Sequence, residues 1–309
     1  MGTVKINSAE AWLLAARPKT LTGAAIPVMV GLALAWADWN QFHPGCSPTF
    51  LCHGIPAILC MLFAFAMQID ANFINDYFDC LKGSDRDDRL GPKRACAEGW
   101  ITLTAMKKGI AITTVLACLI GLPLILYGGT AMVLVGLLCV IFAFLYTTTL
   151  SYVGAGDILV IVFFGFIPTC IPYYIQIQTI TLECLAAGLA VGLVTDNLLM
   201  TNNFRDREQD RISGKRTIVV RLGETWAKHL YLGLGFSATL ICMIFIASGK
   251  WPAAVLSWLY IPFHIATWKK MVRINYGREL NTVLGESARN IFIFGLLLTM
   301  GIILSVFLN

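Results

Sequence analysis

Charge is what this sequence has little of. Asp, Glu, Lys and Arg make up 13% of its 309 residues, about half of the roughly 25% with which a water-soluble domain covers its surface. No polar block is long enough to be a soluble domain, so the missing polar surface must face something apolar, and lipid fits. Zinc-type chemistry is also missing. Ten cysteines and four histidines are present, yet no CxxC or Cys/His cluster occurs among them. Six of the cysteines (Cys60, Cys118, Cys139, Cys170, Cys184 and Cys242) lie in apolar runs, where a thiol packs as a small hydrophobe. A cleavable leader is not expected either. Arg17 and Lys19 interrupt the first apolar run, which is too long for a signal h-region and reads as a retained span.

What the chain does have is hydrophobic length: 57% of its residues are hydrophobic and its mean hydropathy is +0.73. About 20 apolar residues at 1.5 Å rise cross a hydrocarbon core of roughly 30 Å. Runs of that kind lie near residues 12–37, 52–75, 105–127, 131–150, 157–178, 182–203, 228–248, 252–270 and 289–308. Lipid offers exposed backbone no partner, so each run should be a helix. The expected fold class is an all-α integral membrane protein of about nine spans, a single transmembrane domain over residues 1–309.

The basic residues test that count. Lys5, Arg17 and Lys19 lie at the start; seven more fall between the second and third runs, seven between the sixth and seventh, and five between the eighth and ninth. Of the 23 basic residues, 22 thus sit on alternate connections, with Lys250 the exception. The positive-inside rule makes the charged side cytoplasmic. The N-terminus and both long polar loops (75–104 and 203–227) then face the cytoplasm and the C-terminus faces the opposite side.

Those two loops carry most of the polar information. The first begins Asn72-Phe-Ile-Asn75-Asp76-Tyr-Phe-Asp79 and the second contains Asn202, Asp206 and Asp210. On a helix continuing out of the span, four-residue spacing stacks such side chains on one face. Each loop then offers a row of hard oxygen ligands, which suits Mg²⁺ bound through a few carboxylates and substrate phosphate oxygens. Each row is followed by a glycine and a basic pair, Gly91-Pro-Lys93-Arg94 and Gly214-Lys215-Arg216, whose cations suit phosphate charge. Mixed charge on a loop is usually a solvated face, but duplication of the pattern after two separate spans favours a site for a magnesium diphosphate. Asp70 and Asp196 lie inside spans, where a carboxylate faces a cavity or an interhelical hydrogen bond. Arg17, before Pro18, could snorkel or be turned inward.

Asn75-Asp-Tyr-Phe-Asp79 paired with Arg205-Asp-Arg-Glu-Gln-Asp210 resembles the two aspartate-rich motifs of the UbiA superfamily of intramembrane prenyltransferases. Trp12 to Leu21, Leu90-Gly-Pro-Lys-Arg94, Gly156-Asp-Ile-Leu-Val-Ile-Val-Phe-Phe-Gly165, Asn202 to Thr217 and Leu280-Asn-Thr-Val-Leu284 are similar to the branch acting on 1,4-dihydroxy-2-naphthoate. The resemblance runs from about residue 11 to the last span. It implies a helix bundle around a central cavity capped by the motif loops. It also implies Mg²⁺-dependent transfer of a polyprenyl group from its diphosphate to 1,4-dihydroxy-2-naphthoate, with loss of CO₂, in menaquinone synthesis at a bacterial inner membrane. By the same likeness Asp76, Asp79, Asp206 and Asp210 would be catalytic, and Asn75, Asp79, Asp85, Asp206 and Asp210 would hold the metal. Arg17, Asn75, Lys93, Arg94, Asn202, Lys215 and Tyr146 would contact the diphosphate. Two departures bear on this: Gly83 stands where many relatives have a third acidic residue, and no lysine accompanies Tyr146.

The partners implied are the two substrates and the bilayer, with no nucleic acid and no obligate protein. Tyr146, Phe163, Phe164, Phe166, Tyr173 and Tyr174 are aromatic candidates to face an allylic cation. Other acceptors, such as 4-hydroxybenzoate, stay open. So does a secondary transporter, although transporters place their polar residues near midplane whereas these acids gather at helix ends.

Overall fold

The computed structural model describes residues 4–43, 45, 48–83 and 89–308. The elements are α1 Ala9–Phe42, α2 Phe50–Leu81, α3 Leu103–Gly128, α4 Ala131–Leu150, α5 Gly156–Ile177, α6 Leu182–Arg205, α7 Arg207–Ile212, α8 Ile218–Leu222, α9 Glu224–Ala247, α10 Trp251–Trp258, α11 Ile261–Ile274 and α12 Leu280–Leu308. Eight of these, α1 to α6, α9 and α12, are long and apolar enough to cross a membrane, and the chain is an all-helical, multi-pass membrane protein. The apolar run near 252–270 folds as two shorter helices, α10 and α11, with a turn at Leu259 and Tyr260 between them. Pro262 sits in the first turn of α11, where its missing N–H costs nothing, but it cannot continue a helix arriving from α10.

Side-chain caps set several starts. Ser8, Thr49, Thr102, Thr181 and Thr217 each accept a hydrogen bond from the backbone N–H three residues on, satisfying one of the donors a helix start leaves open. α1 carries a break. Arg17 adopts φ 50° and ψ 65° before Pro18, a left-handed conformation that costs a non-glycine residue about 1–3 kcal/mol. Asn72 of α2 compensates: its amide donates to the Ala16 carbonyl at 2.9 Å and to the Thr20 hydroxyl at 3.0 Å.

α6 is the most enclosed span, packing on α1, α5, α9 and α12 around a core that includes Leu34, Val191, Ala238 and Phe294. α5 and α6 meet backbone to backbone. A Cβ on Gly165 would lie 2.5 Å from the Gly188 carbonyl oxygen, and one on Gly192 would lie 3.0 Å from the Cα of Ile161. Small residues at a crossing are what let two membrane helices approach this closely. α3 and α4 lie at the edge and expose Ile112, Val115, Leu119, Leu126 and Leu134, a surface made for hydrocarbon.

α1 to α6 enclose a cavity of about 560 Å³. Its wall is apolar apart from a few polar groups, among them Gln68, Asn75, Tyr146, Thr147, Thr195 and Asn202.

Candidate active site

The first motif runs along the end of α2 and divides into two rows. Asn72 and Asp76 point into the protein: Asn72 holds the break in α1, and the Asp76 carboxylate accepts from the backbone N–H groups of Ala95 and Cys96 at 3.0 and 2.9 Å. Arg17, turned inward by the break, lies 3.9 Å from the same carboxylate. Asp76, expected to be catalytic, is thus buried and ties the segment after Gly91 to α2. Asn75 and Asp79 face the other way. Asn75 lines the cavity and accepts a close hydrogen bond from the Thr147 hydroxyl of α4. Asp79, one turn further out, pairs with Arg94 at 2.7 Å.

The second motif repeats the arrangement from α6. Asn202 lines the same cavity as Asn75. Asp206, one turn beyond, accepts from Nε and Nη2 of the adjacent Arg205 at 2.7 and 2.6 Å. Asp210 on α7 is buried, with Lys215 3.8 Å from its Oδ1. The motifs converge on one cavity, which Asn75 and Asn202 both line. Burial pushes the Asp210 carboxyl up to about 6; Lys215 opposes that shift, while Asp206 and Asp79 add to it.

Arg205 is a residue that sequence reasoning missed. It is 2% exposed, and besides gripping Asp206 it donates to the Asn281 side chain at 2.8 Å, whose amide donates to the Leu90 carbonyl at 2.7 Å. A Cβ on Gly91 would lie 2.8 Å from an Arg205 guanidinium nitrogen, so a side chain there would push the guanidinium aside. One arginine thereby joins the second motif, the first motif's loop and the start of α12. Its signal in the sequence was its place between Phe204 and Asp206 at the end of a span, but burial cannot be read from that.

The other expected residues divide. Arg94 and Lys215 reach the carboxylates, whereas Lys93 is exposed and pairs with Glu98 at 2.6 Å. Asp85 lies outside the described residues. Tyr146 lines the cavity. Phe163 and Phe164 also line it, while Tyr173 donates to Asp38 at 2.6 Å. Lys82, which had no assigned role, places its ammonium on the Thr147 and Thr148 carbonyls at 3.2 and 2.7 Å. Asp70 accepts from the Thr113 and Thr114 hydroxyls of α3 and is an interhelical lock.

Among the described residues no three His, Cys, Asp or Glu side chains close on a common point. An all-protein cage is not what Mg²⁺ needs, since substrate phosphates and waters fill much of its shell. The donors are hard oxygens at two helix ends. One of them, Asp210 Oδ2, is buried without a hydrogen-bond partner, so the residues fit a magnesium diphosphate.

Residues 24–284 match the model of the UbiA prenyltransferase family. The 1,4-dihydroxy-2-naphthoate octaprenyltransferase of Escherichia coli (strain K12) is 34% identical over 97% of each chain. A UbiA homolog from Aeropyrum pernix K1, in its apo structure, superposes with a TM-score of 0.64 at 18% identity, covering 90% of this chain and 97% of that one. A UbiA homolog from Archaeoglobus fulgidus, solved bound to DMAPP and Mg²⁺, gives a TM-score of 0.60 at 15% identity over 93% and 98%. These two likenesses speak to the fold.

Proposed function

The chain belongs to the UbiA prenyltransferase family, and on that footing we propose that it transfers a polyprenyl group from an allylic diphosphate to 1,4-dihydroxy-2-naphthoate, with loss of CO₂, in menaquinone synthesis. The observation that carries this reading is the shared cavity. Asn75 and Asn202, one from each motif, line one apolar chamber, and Asp79 and Asp206 follow one turn beyond them. The naphthoate acceptor follows from the likeness to the Escherichia coli enzyme over nearly the whole chain.

Asn75, Asp79, Asp206 and Asp210 would hold Mg²⁺ together with the diphosphate oxygens. Bound there, the metal supplies neutralisation of the charge that grows on the departing diphosphate. Arg94 and Lys215, which pair with Asp79 and Asp210, are placed to turn their charge to the phosphates, and Arg17 lies just behind. The apolar chamber keeps water from the allylic cation, with Tyr146, Phe163 and Phe164 as its aromatic wall. The positive-inside distribution supports a cytoplasmic mouth, and the likeness to the Escherichia coli enzyme supports a bacterial inner membrane.

The test is turnover by purified protein of geranylgeranyl diphosphate and dihydroxynaphthoate with Mg²⁺. Product should form, vanish with EDTA, and fall at least about 100-fold in Asp79→Ala and in Asp206→Ala. Full activity in both variants would refute the site; preference for 4-hydroxybenzoate would refute the acceptor.

A further inference from the structure

Two carboxyl groups for which the proposed function has no task sit behind the cavity wall. At the crossing of α5 and α6, Ile161 meets Gly192. One turn from that contact toward the motif loops stand Asp157 on α5 and Asp196 on α6. They are 8% and 2% exposed, and Oδ1 of each is buried without a hydrogen-bond partner. A carboxyl used as an interhelical lock fills its oxygens, as Asp70 does with two threonines. This pair leaves acceptor capacity unused in an apolar setting, where that is costly.

Beside Asp157 lies a second cavity of about 10 Å³, also lined by Tyr146, Asn203 and Lys215, polar enough and about large enough for a single water. Tyr146 and Leu199 line both this cavity and the large one, so Tyr146 is the polar residue they share. A Cβ on Gly156 would lie 4.0 Å from the Tyr146 hydroxyl oxygen, which therefore rests against the backbone next to Asp157.

We propose that Asp157 and Asp196 form a proton store for the aromatic acceptor, reached from the substrate cavity through the Tyr146 hydroxyl and a water in the small cavity. The inference rests on the prenyl transfer proposed above. The acceptor's ring hydroxyl gives its proton to Tyr146 as Tyr146 passes its own through the water to the carboxylate pair. The electron pair left on oxygen drives the ring carbon bearing the carboxylate onto the allylic carbon. The allylic C–O bond breaks, and its electrons leave with the diphosphate. The product is a β-keto carboxylate; it loses CO₂, and the resulting enolate recovers the stored proton by the same route. No proton is gained or lost overall. Asp157 and Asp196 touch no substrate and act through Tyr146 as positioning residues.

The test uses the full chain in detergent with Mg²⁺, geranylgeranyl diphosphate and two acceptors: dihydroxynaphthoate, and an analogue whose electron-withdrawing substituent makes the hydroxyl more acidic. Asp157→Asn should lower kcat on dihydroxynaphthoate about 10²- to 10⁴-fold, the scale of general-base catalysis, with KM for the diphosphate unchanged. On the acidic analogue it should lose about ten-fold less, because a weaker base suffices there. Tyr146→Phe should show the same acceptor-dependent loss in kcat, and it decides the matter if Asp157→Asn does not fold. Equal losses on both acceptors, or wild-type kcat, in either variant would overturn the relay while leaving prenyl transfer standing. A wild-type protein inactive on dihydroxynaphthoate would overturn both.

Discussion

The acidic residues of the two motifs differ in what their oxygens already hold, and that sets what each is for. Asp76 gives both oxygens to backbone N–H groups, so Asp76→Ala leaves two buried donors without partners at about 1–3 kcal/mol each. It should lower the melting temperature in detergent by many degrees. Asp79 accepts instead from the Arg94 side chain at 2.7 Å and strands no backbone donor when removed, so Asp79→Ala should lose less melting temperature than Asp76→Ala while losing turnover. If the two variants exchanged these phenotypes, the division of the rows would be wrong. Asp210 combines both demands. Burial pushes its carboxyl up to about 6, so the neutral form prevails only below that pH and the charged form is held at a cost above it. A carboxyl raised above its unfolded value stabilises below that value, and the stability is lost as pH rises through about 6. Asp210→Asn should therefore stabilise the metal-free protein above pH 6, by a few kcal/mol at most, while weakening Mg²⁺-dependent turnover. Thermal unfolding at pH 5 and pH 8 without metal checks the sign.

At the scale of elements, hydropathy found the helical runs because lipid leaves a spanning chain little choice, but it reads composition and not continuity. The stretch near 252–270 is apolar enough to count, and the turn at Leu259 and Tyr260 that splits it has a local cause in Pro262 that a window average hides. Lys250, the basic residue outside the alternating pattern, shows the converse. Its ammonium lies 2.7 Å from Asp38, both side chains are under 10% exposed, and Tyr173 donates to the other Asp38 oxygen. The exception to the charge rule is a buried cation that clamps α1, α5 and the start of α10, not a loop charge. Breaking such a pair from one side costs about 3–5 kcal/mol, whereas replacing both partners by apolar groups costs much less. Lys250→Met should be strongly destabilised, and Lys250→Met combined with Asp38→Leu should recover most of the loss, as a double-mutant cycle by thermal unfolding would measure. Additive losses would show that the two groups do not stabilise each other.

In the molecule as a whole, four-residue spacing made the motif rows legible, but not which way each row turns. Spacing cannot distinguish the 72/76 row, which closes the break in α1, from the 75/79 row, which meets the cavity; that is decided by how α2 rotates against α1 and α4. Nor could it show that Arg205 is buried and joins three segments distant in sequence. If the motifs form one mouth over one chamber, Mg²⁺ and inorganic diphosphate should bind as a single unit that needs both. Together they should raise the melting temperature, by the equivalent of about 2.7 kcal/mol at a hundred-fold excess over Kd; either alone should do far less. Asp79→Ala and Asp206→Ala should each abolish this shift, and the double variant should be no worse than either single one, because contacts sharing one ligand do not add. Two half-sized shifts, one surviving in each single variant and both lost in the double, would mean that the α2 and α6 ends bind separately, and the shared mouth would have to be abandoned.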